Sequence, residues 1–561
     1  MYRDFTGSKA VKIGMFFHND YYPWTEVDAD GVRCWLKGTI FYKNKLLQTE
    51  DAVRLLFSAL ESSRIDSEVL KTLLLTLNGN FALAMETSRY IFCTVDRVRS
   101  IPLFYAVSSE ETLFSDDAKY LRDRLNPLLN EENCAELLIT GFVTSSNTLF
   151  DGISQLQAGE YLIYDKTTGS LATQFYHRFW HGNYFSDSKE DLLNRLDETF
   201  VHVFQRLIAS TKGRQIVVPL SGGVDSRIIV TMLKRLGVED VICFTYGKKD
   251  NKQSEISRQL AETLGYQWYF VEYTNEKWFD CYHSDDMQRY LEYGGNLTSI
   301  PHIQDFFAVK ELKEVGKIPD NAVFVPGHLG MIAGSRIPPS YDQPQACTFE
   351  NFLNDSLKIY YSLWEWDEAE FGSLFKYRIR KSVGGISVHD NESCANVIEL
   401  FEFNERQAKL ILNSVRVYEF FGFQWQIPLC DTALIDFFLR VPIPYRMEKS
   451  LYKSYMIKTD SNRSDRNGFM PDSKSFLSKF PLLRRLGGKI YAFKRIHTVY
   501  DSHPLAWYGI VPKDSFSQIY SGTEHVNSFI GLFYINSICP TLLIDIVEKY
   551  LMDAKRVASA L

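Results

Sequence analysis

Six consecutive residues, Ser221-Gly222-Gly223-Val224-Asp225-Ser226, place two hydroxyls, two glycines and a carboxylate at the end of an apolar run. Such a turn can cradle an anion. Glycine admits backbone conformations closed to other residues and lets N–H groups come close to a bound oxygen. Ser221 and Ser226 add hydroxyl donors, and Asp225 offers magnesium a hard oxygen. The preceding Ile216-Val217-Val218-Pro219-Leu220 reads as a short buried strand, and Ser226 to Leu236 as a helix. The N-terminal end of that helix, with free N–H donors and a positive dipole end, points at the same anion. The spacing is not that of the Gly-x-x-x-x-Gly-Lys-Ser/Thr loop that passes on a γ-phosphate. A chance glycine turn could look alike, but the strand before it and the helix after it argue for phosphates.

These side chains need elements to hold them. Val241 to Tyr246 reads as a second strand, Ser254 to Leu264 as a helix, Tyr269 to Tyr273 as a third strand and Ala322 to Val325 as a fourth. Strands alternating with helices imply βαβ units and a parallel sheet covered on both faces. Ligands of such sheets gather beyond the carboxyl ends of the strands, where Ser221, Tyr246 and Gly327 all fall. Residues 1–185 follow another grammar. Val11 to Phe17, Gly79 to Met85, Tyr90 to Val95 and Tyr161 to Tyr164 are strand-like runs divided by turns. The polar stretch Phe185 to Asp191 then opens a helix with Leu192, Leu193, Leu196, Phe200 and Val203 on one face. Residues 1–185 and 186–561 are therefore expected to form two domains. The chain beyond the polar segment Thr459 to Asn467 reads as helical.

With 561 residues, 45% of them hydrophobic and 23% charged, there is material for more than one core. A net charge of -7 argues against a dedicated nucleic-acid partner. The basic run Arg484, Arg485, Lys489, Lys494 and Arg495 reads as a solvated helix face. Nine cysteines, odd in number and without a CxxC pair, suggest neither a zinc site nor a disulfide framework. No apolar run approaches the roughly 18–20 residues of a membrane helix. Met1-Tyr2-Arg3-Asp4 does not begin a signal segment, so a cytoplasmic location without membrane insertion is expected.

The Ser221–Ser226 loop resembles that of the PP-loop ATP pyrophosphatases, which cleave ATP between its α and β phosphates. The segments around it are similar to those of asparagine synthetase and its β-lactam-forming relatives. Gly79-Asn80-Phe81-Ala82-Leu83-Ala84, Val95-Asp96-Arg97-Val98 and Ile101-Pro102-Leu103-Phe104-Tyr105 come in the family's order. Gly152 to Leu156 and Ala158 to Leu162 continue it. Past the loop, Ile427-Pro428-Leu429-Cys430-Asp431 and Met447-Glu448-Lys449-Ser450-Leu451 match further family segments. The resemblance implies an α/β fold: a glutaminase-like αββα sandwich, then a parallel-sheet PP-loop domain with a helical C-terminal part. It implies ATP and Mg2+ as cofactors. Leu220, Ser221, Gly222, Gly223, Asp225, Ser226, Tyr246 and Gly327 would bind the nucleotide, with Asp225 the metal ligand and Lys449 the group stabilising charge on the acyl carbon's oxygen.

Four departures stand out. The family's nucleophilic cysteine is replaced by Tyr2, and its glutamine-binding Asn-Gly-Glu by Lys37-Gly38-Thr39. The first domain is therefore expected to be structural rather than glutamine-hydrolysing, since tyrosine cannot replace a thiolate nucleophile. The family's second signature corresponds to Pro326-Gly327-His328-Leu329-Gly330-Met331, so a magnesium-binding Asp has become Met331, a poor ligand for a hard cation. His328 stands where a Glu is usual. It could contact a phosphate or the acyl group, or merely form the turn. Glu255 is as readily an N-terminal helix charge, and Arg446 and Lys453 read as solvated. The Gly-His-x-Gly pattern and Asn413 to Gly422 look like relatives encoded with surface-polysaccharide genes.

The expected activity is an AMP-forming amide ligase acting on a small carboxylate, a sugar uronate by that last resemblance, and on ammonia or an amine. The alternative is a non-catalytic nucleotide-binding member, with a homodimer the candidate assembly for either. A PP-loop tRNA-modifying enzyme fits poorly, lacking a nearby cysteine pair or a strong basic face.

Overall fold

A computed structural model of the chain describes residues 2–6, 12–29, 31–60, 66–247, 249–328, 330–334, 336–338, 341, 347–459, 531, 534–536 and 538–551. At a few of these, Tyr2 and Met331 among them, only the backbone is described. The basic run Arg484 to Arg495, with the rest of residues 460–530, lies outside them, whereas Pro540–Tyr550 near the end of the chain is a helix.

The N-terminal strands are β1 (Tyr2–Thr6), β2 (Lys12–Phe16), β3 (Thr25–Ala29), β4 (Val32–Tyr42), β5 (Lys45–Leu46) and β6 (Leu77–Glu86). They are followed by β7 (Tyr90–Val95), β8 (Phe104–Val107), β9 (Glu111–Ser115), β10 (Ile153–Gln155), β11 (Glu160–Asp165) and β12 (Ser170–Phe175). One sheet runs β1-β2-β9-β8-β10, and the other β12-β11-β7-β6-β4-β3 with β5 beside β4. Helices α1 (Thr49–Leu60) and α2 (Ser67–Leu75) cover the outer face of the second sheet. There Leu56, Leu70 and Leu74 pack on Leu36, Leu83 and Phe92. Helix α3 (Ala118–Leu125) lies on the first sheet, and α4 (Glu131–Thr140) follows it in the chain. This is the αββα sandwich expected. The period of two decides which residues turn inward: Ala82 and Ala84 of β6 join the inter-sheet core, while Leu83 and Met85 face the helices.

The second unit opens with α5 (Lys189–Thr211), capped by Ser188. Leu192, Leu196, Phe200 and Val203 are buried along one stripe, as a period of 3.6 requires. Then come β13 (Ile216–Pro219), α6 (Val224–Arg235), β14 (Val241–Gly247), α7 (Lys252–Leu264), β15 (Gln267–Glu272), β16 (Val323–Phe324) and β17 (Gln424–Trp425). All five strands pair in parallel in the order β15-β14-β13-β16-β17. Helices α6 and α7 begin two residues before the sequence pattern places them. In α7 the reason is visible: Asn251 caps it by accepting from Ser254 N–H at 2.8 Å. Between β16 and β17 the chain is largely helical and includes a ten-residue π-helix, Glu402–Ile411.

The resemblance-bearing residues of the first domain serve its attachment to the second. Asp96 accepts backbone N–H bonds from Phe81 and Val98 and pins the turn after β7. Arg97 then reaches Asp436 at 2.7 Å. Asp431 takes two bonds from Arg206, at 2.8 and 2.7 Å, and one from Asn78 of the sandwich at 3.1 Å. Two sequence readings are corrected. Cys347 and Cys394 form a disulfide across 47 residues, a pairing that neither an odd count nor motif spacing could reveal. Arg446 is not solvated but fully buried, held by Glu399 and Asn396. A charged head so far from water needs such partners.

Candidate active site

Strand β13 is followed by Leu220, which is buried and fixed on both sides. Its N–H donates to Phe244 O at 2.8 Å, and its carbonyl accepts from Thr245 Oγ1 at 2.6 Å. The turn that follows is closed by its two serines. Their hydroxyls lie 3.0 Å apart, Ser221 N–H donates to Ser226 Oγ at 3.1 Å, and Gly223 N–H to Ser221 Oγ at 3.2 Å. Gly223 is the N-cap of α6 and makes no side-chain capping bond, so the first-turn N–H groups have no cap to satisfy them. Neither Gly222 nor Gly223 has positive φ. The expectation that they supply otherwise closed conformations is corrected: what they supply is room. A Cβ on Gly222 would stand 2.2 Å from Gln253 Oε1 at the start of α7.

The segment after β16 lies directly on this turn. A Cβ at Gly327 would fall 2.8 Å from the backbone nitrogen of Ser226, and one at Gly330 would fall 2.0 Å from Asp225 Oδ1. Backbone therefore replaces side chain twice where the second loop meets the first. Met331 belongs to the short 3-10 helix Gly330–Ala333, and its side chain lies outside the described residues. Gly334, at φ +93, packs against the carbonyl of Arg446.

From Arg446 the chain turns sharply to present Lys449. Glu448 and Lys449 have φ of 52 and 58, a left-handed pair that costs non-glycine residues about 1–3 kcal/mol each. The turn is anchored by buried Arg446 before it and by Leu451 and Tyr452 after it. Lys449 Nζ comes 3.5 Å from Asp225 Oδ2, while Asp225 Oδ1 is buried without a hydrogen-bond partner. The Tyr452 hydroxyl is pushed up by burial and then by the charge of Asp225. A strained lysine, a carboxylate with one buried oxygen left without a hydrogen bond, and a helix start thus meet at the carboxyl end of β13.

His328 sits beside Gly327, its Nε2 2.8 Å from Ser414 Oγ. Burial, with His302 nearby, pushes its imidazole down to about 3, so it is neutral near pH 7. Tyr246 ends β14 half-buried, its ring stacked on Tyr273 at 5.0 Å. Glu255 pairs with Arg258 on the exposed face of α7. The structure therefore gathers the serine-glycine turn, Gly327, His328 and Lys449, and leaves Glu255 outside. Sequence reading missed Arg446, Tyr452 and Ser414. One signal existed: Asn396 and Glu399, three apart in the apolar run Ala395 to Phe401, imply a buried polar partner. Among the described residues, no group of three His, Cys, Asp or Glu could hold a metal ion alone.

Residues 63–180 match the glutamine amidotransferase domain family, and residues 204–317 match asparagine synthase. Their order is consistent with an asparagine synthetase family protein. Ser221 to Ser226 and Tyr246 fall inside the second match; His328, Met331 and Lys449 fall beyond it, and Tyr2 and Lys37 precede the first. No curated protein matches the chain. Among solved structures, it is similar to a glutamine phosphoribosylpyrophosphate amidotransferase from B. subtilis complexed with ADP and GMP. That likeness has 13% identity and a TM-score of 0.18, and covers 57% of this chain and 60% of that one. A second, described as the allosteric regulatory enzyme of purine biosynthesis, has 12% identity, a TM-score of 0.18, and coverage of 55% and 57%. The chain thus spans less than two thirds of either. Among the described residues, no helix is long and apolar enough to cross a membrane.

Proposed function

We propose that the chain is an AMP-forming amide ligase whose ATP site is the Ser221–Ser226 turn. The observation that carries this reading is the meeting of Asp225 and Lys449 at the uncapped start of α6. First-turn N–H groups and the serine hydroxyls would bind the phosphates. Asp225 fits a magnesium ligand, having one oxygen without a partner; the ion, when bound, would neutralise phosphate charge. A substrate carboxylate oxygen attacks the α-phosphorus, and pyrophosphate leaves toward the turn. Ammonia or an amine then attacks the acyl carbon, the C–O bond to AMP breaks, and the nitrogen loses a proton. Lys449 would stabilise the oxyanion of that second step and the proton would pass to water, while His328, neutral and bonded to Ser414, would be a polar wall of the acyl side. Tyr246 and Gly327 would line the adenine side.

The nitrogen source is ammonia or an amine rather than glutamine. Lys37, which the resemblance places at the glutamine-binding position, is buried and ion-paired with Asp116 at 3.5 Å. That carboxylate also accepts from Trp24 Nε1 at 2.7 Å. A sugar uronate is the acid we favour, by the resemblance of Gly327 to Gly330 and Asn413 to Gly422 alone, with a cytoplasmic setting.

Met331 favours a second reading, nucleotide binding without turnover. Pyrophosphate release from Mg-ATP with uronate-bearing acids and ammonia separates the two, measured for the parent and for Met331→Asp. Turnover by the parent supports the ligase. ATP binding without pyrophosphate from either protein counts against it.

A further inference from the structure

A cavity of about 260 Å³ opens between the loop that follows α4 and the helix Glu368–Val383, and no candidate active-site residue lines it. Its volume is near the lower end for small-molecule sites, about 300 Å³, which suits one ring. Arg378 and Lys381 face it from the helix, and Ser145, Asn147, Asp151 and Glu132 from the other side. Arg378 is buried, and its Nη2 donates to Asn133 Oδ1 and Glu136 Oε2, both at 2.6 Å. Its Nη1 stands 3.7 Å from Glu132, beyond a hydrogen bond, and its Nε has no partner. The two lining cations, Arg378 and Lys381, are matched by the two lining carboxylates, Glu132 and Asp151, so the walls carry no net formal charge. Donors and acceptors both line its walls, and a hydroxyl is the group that both donates and accepts. Tyr377, 62% exposed, sets an aromatic face at the rim beside Leu374.

The floor is built at a cost that the ATP chemistry does not explain. Ser145 has φ 59. Its N–H donates to the Glu405 carboxylate at 3.0 Å, and its carbonyl accepts from Lys409 Nζ. Glu405 and Lys409 form a fully buried ion pair inside the π-helix Glu402–Ile411. Buried charge and left-handed backbone are both unfavourable, and π-helical turns gather at functional sites.

We propose that this cavity binds a neutral, hydroxyl-rich ring of the monosaccharide class, a site independent of the ligase reading. Saturation-transfer NMR on the full chain tests it with glucose, galactose and N-acetylglucosamine, and with glucuronate and inorganic phosphate as charged comparisons. At least one neutral sugar should bind saturably. Tyr377→Ala and Lys381→Ala, both at exposed positions, should each weaken it about tenfold, the loss of one stacking or hydrogen-bonding contact, while ATP binding stays unchanged. The proposal is overturned if no neutral sugar saturates, if only the charged probes bind, or if neither variant changes the affinity.

Discussion

Lys449 occupies a backbone conformation that a lysine does not choose by itself. Its φ of 58 follows a left-handed Glu448, and neighbours on both sides hold it there. Strain of this kind persists where the surroundings over-determine it, and it gathers at active sites. The outcome is an ammonium beside Asp225, where the sequence could only place a lysine near the loop in family order. Lys449→Ala should lower amide formation by about 100- to 1,000-fold, the loss of one preorganised donor. ATP binding by calorimetry should survive, and a variant that turns over like the parent removes Lys449 from the chemistry. The same scale carries the nitrogen-donor prediction. Lys37 and Asp116 are paired inside the sandwich, at the place the resemblance gives to glutamine binding. With Mg-ATP and acceptor acid present, glutamine should yield no enzymatic glutamate, as read by a coupled glutamate assay.

At the scale of elements, the joint between sandwich and sheet rests on α5 and the turn before Thr432. Arg206 of α5 grips Asp431 with two bonds, and Asn78 of β6 adds a third. The pair is about nine-tenths buried. Removing one partner strands the other charge, which costs about 3–5 kcal/mol. Asp431→Ala should therefore lower the urea midpoint by that equivalent, whereas Asp431→Ala with Arg206→Met should recover part of it. Equal losses in both proteins would mean that packing, not charge, makes this joint. The family-like residues around Asp96 act in the same way, as fasteners between layers rather than as chemistry.

Across the whole molecule, several imidazoles are folded in neutral. His177 is pushed well below the ordinary value of 6.5 by burial and then by Arg97, and His181 and His302 are lowered by burial. His328 follows them down to about 3. The unfolded chain binds protons at about pH 6.5, where the folded chain does not. Protons therefore favour unfolding below that value: stability is complete above it and falls as pH drops, by up to about 1.4 kcal/mol per pH unit for each such group. Asp96 and Glu160, raised mainly by burial, take up protons first when folded and oppose this trend nearer the carboxylate range. The urea midpoint should thus fall between about pH 7 and 5.5, the window in which imidazoles dominate. His177→Asn should flatten part of the slope. A midpoint constant over that window would contradict the neutral burial of these side chains.

The serine-glycine turn, the βαβ alternation, the stripe along α5 and the period-two strands were all legible in the sequence. Each is set by backbone dihedrals and side-chain spacing within a few neighbouring residues. Asn251 and Gly223 moved helix starts only slightly, because caps are local too. What the tertiary structure decided was partnership. An arginine such as Arg446 has the same local signature whether it meets water or Glu399, and Cys347 finds Cys394 only once the helices between them pack. Gly327 and Gly330 are glycines because α6 lies against them, a reason located some hundred residues away in the chain. Local pattern fixed what each segment is; burial, which depends on every other segment at once, fixed what Asp225 and Lys449 can do together.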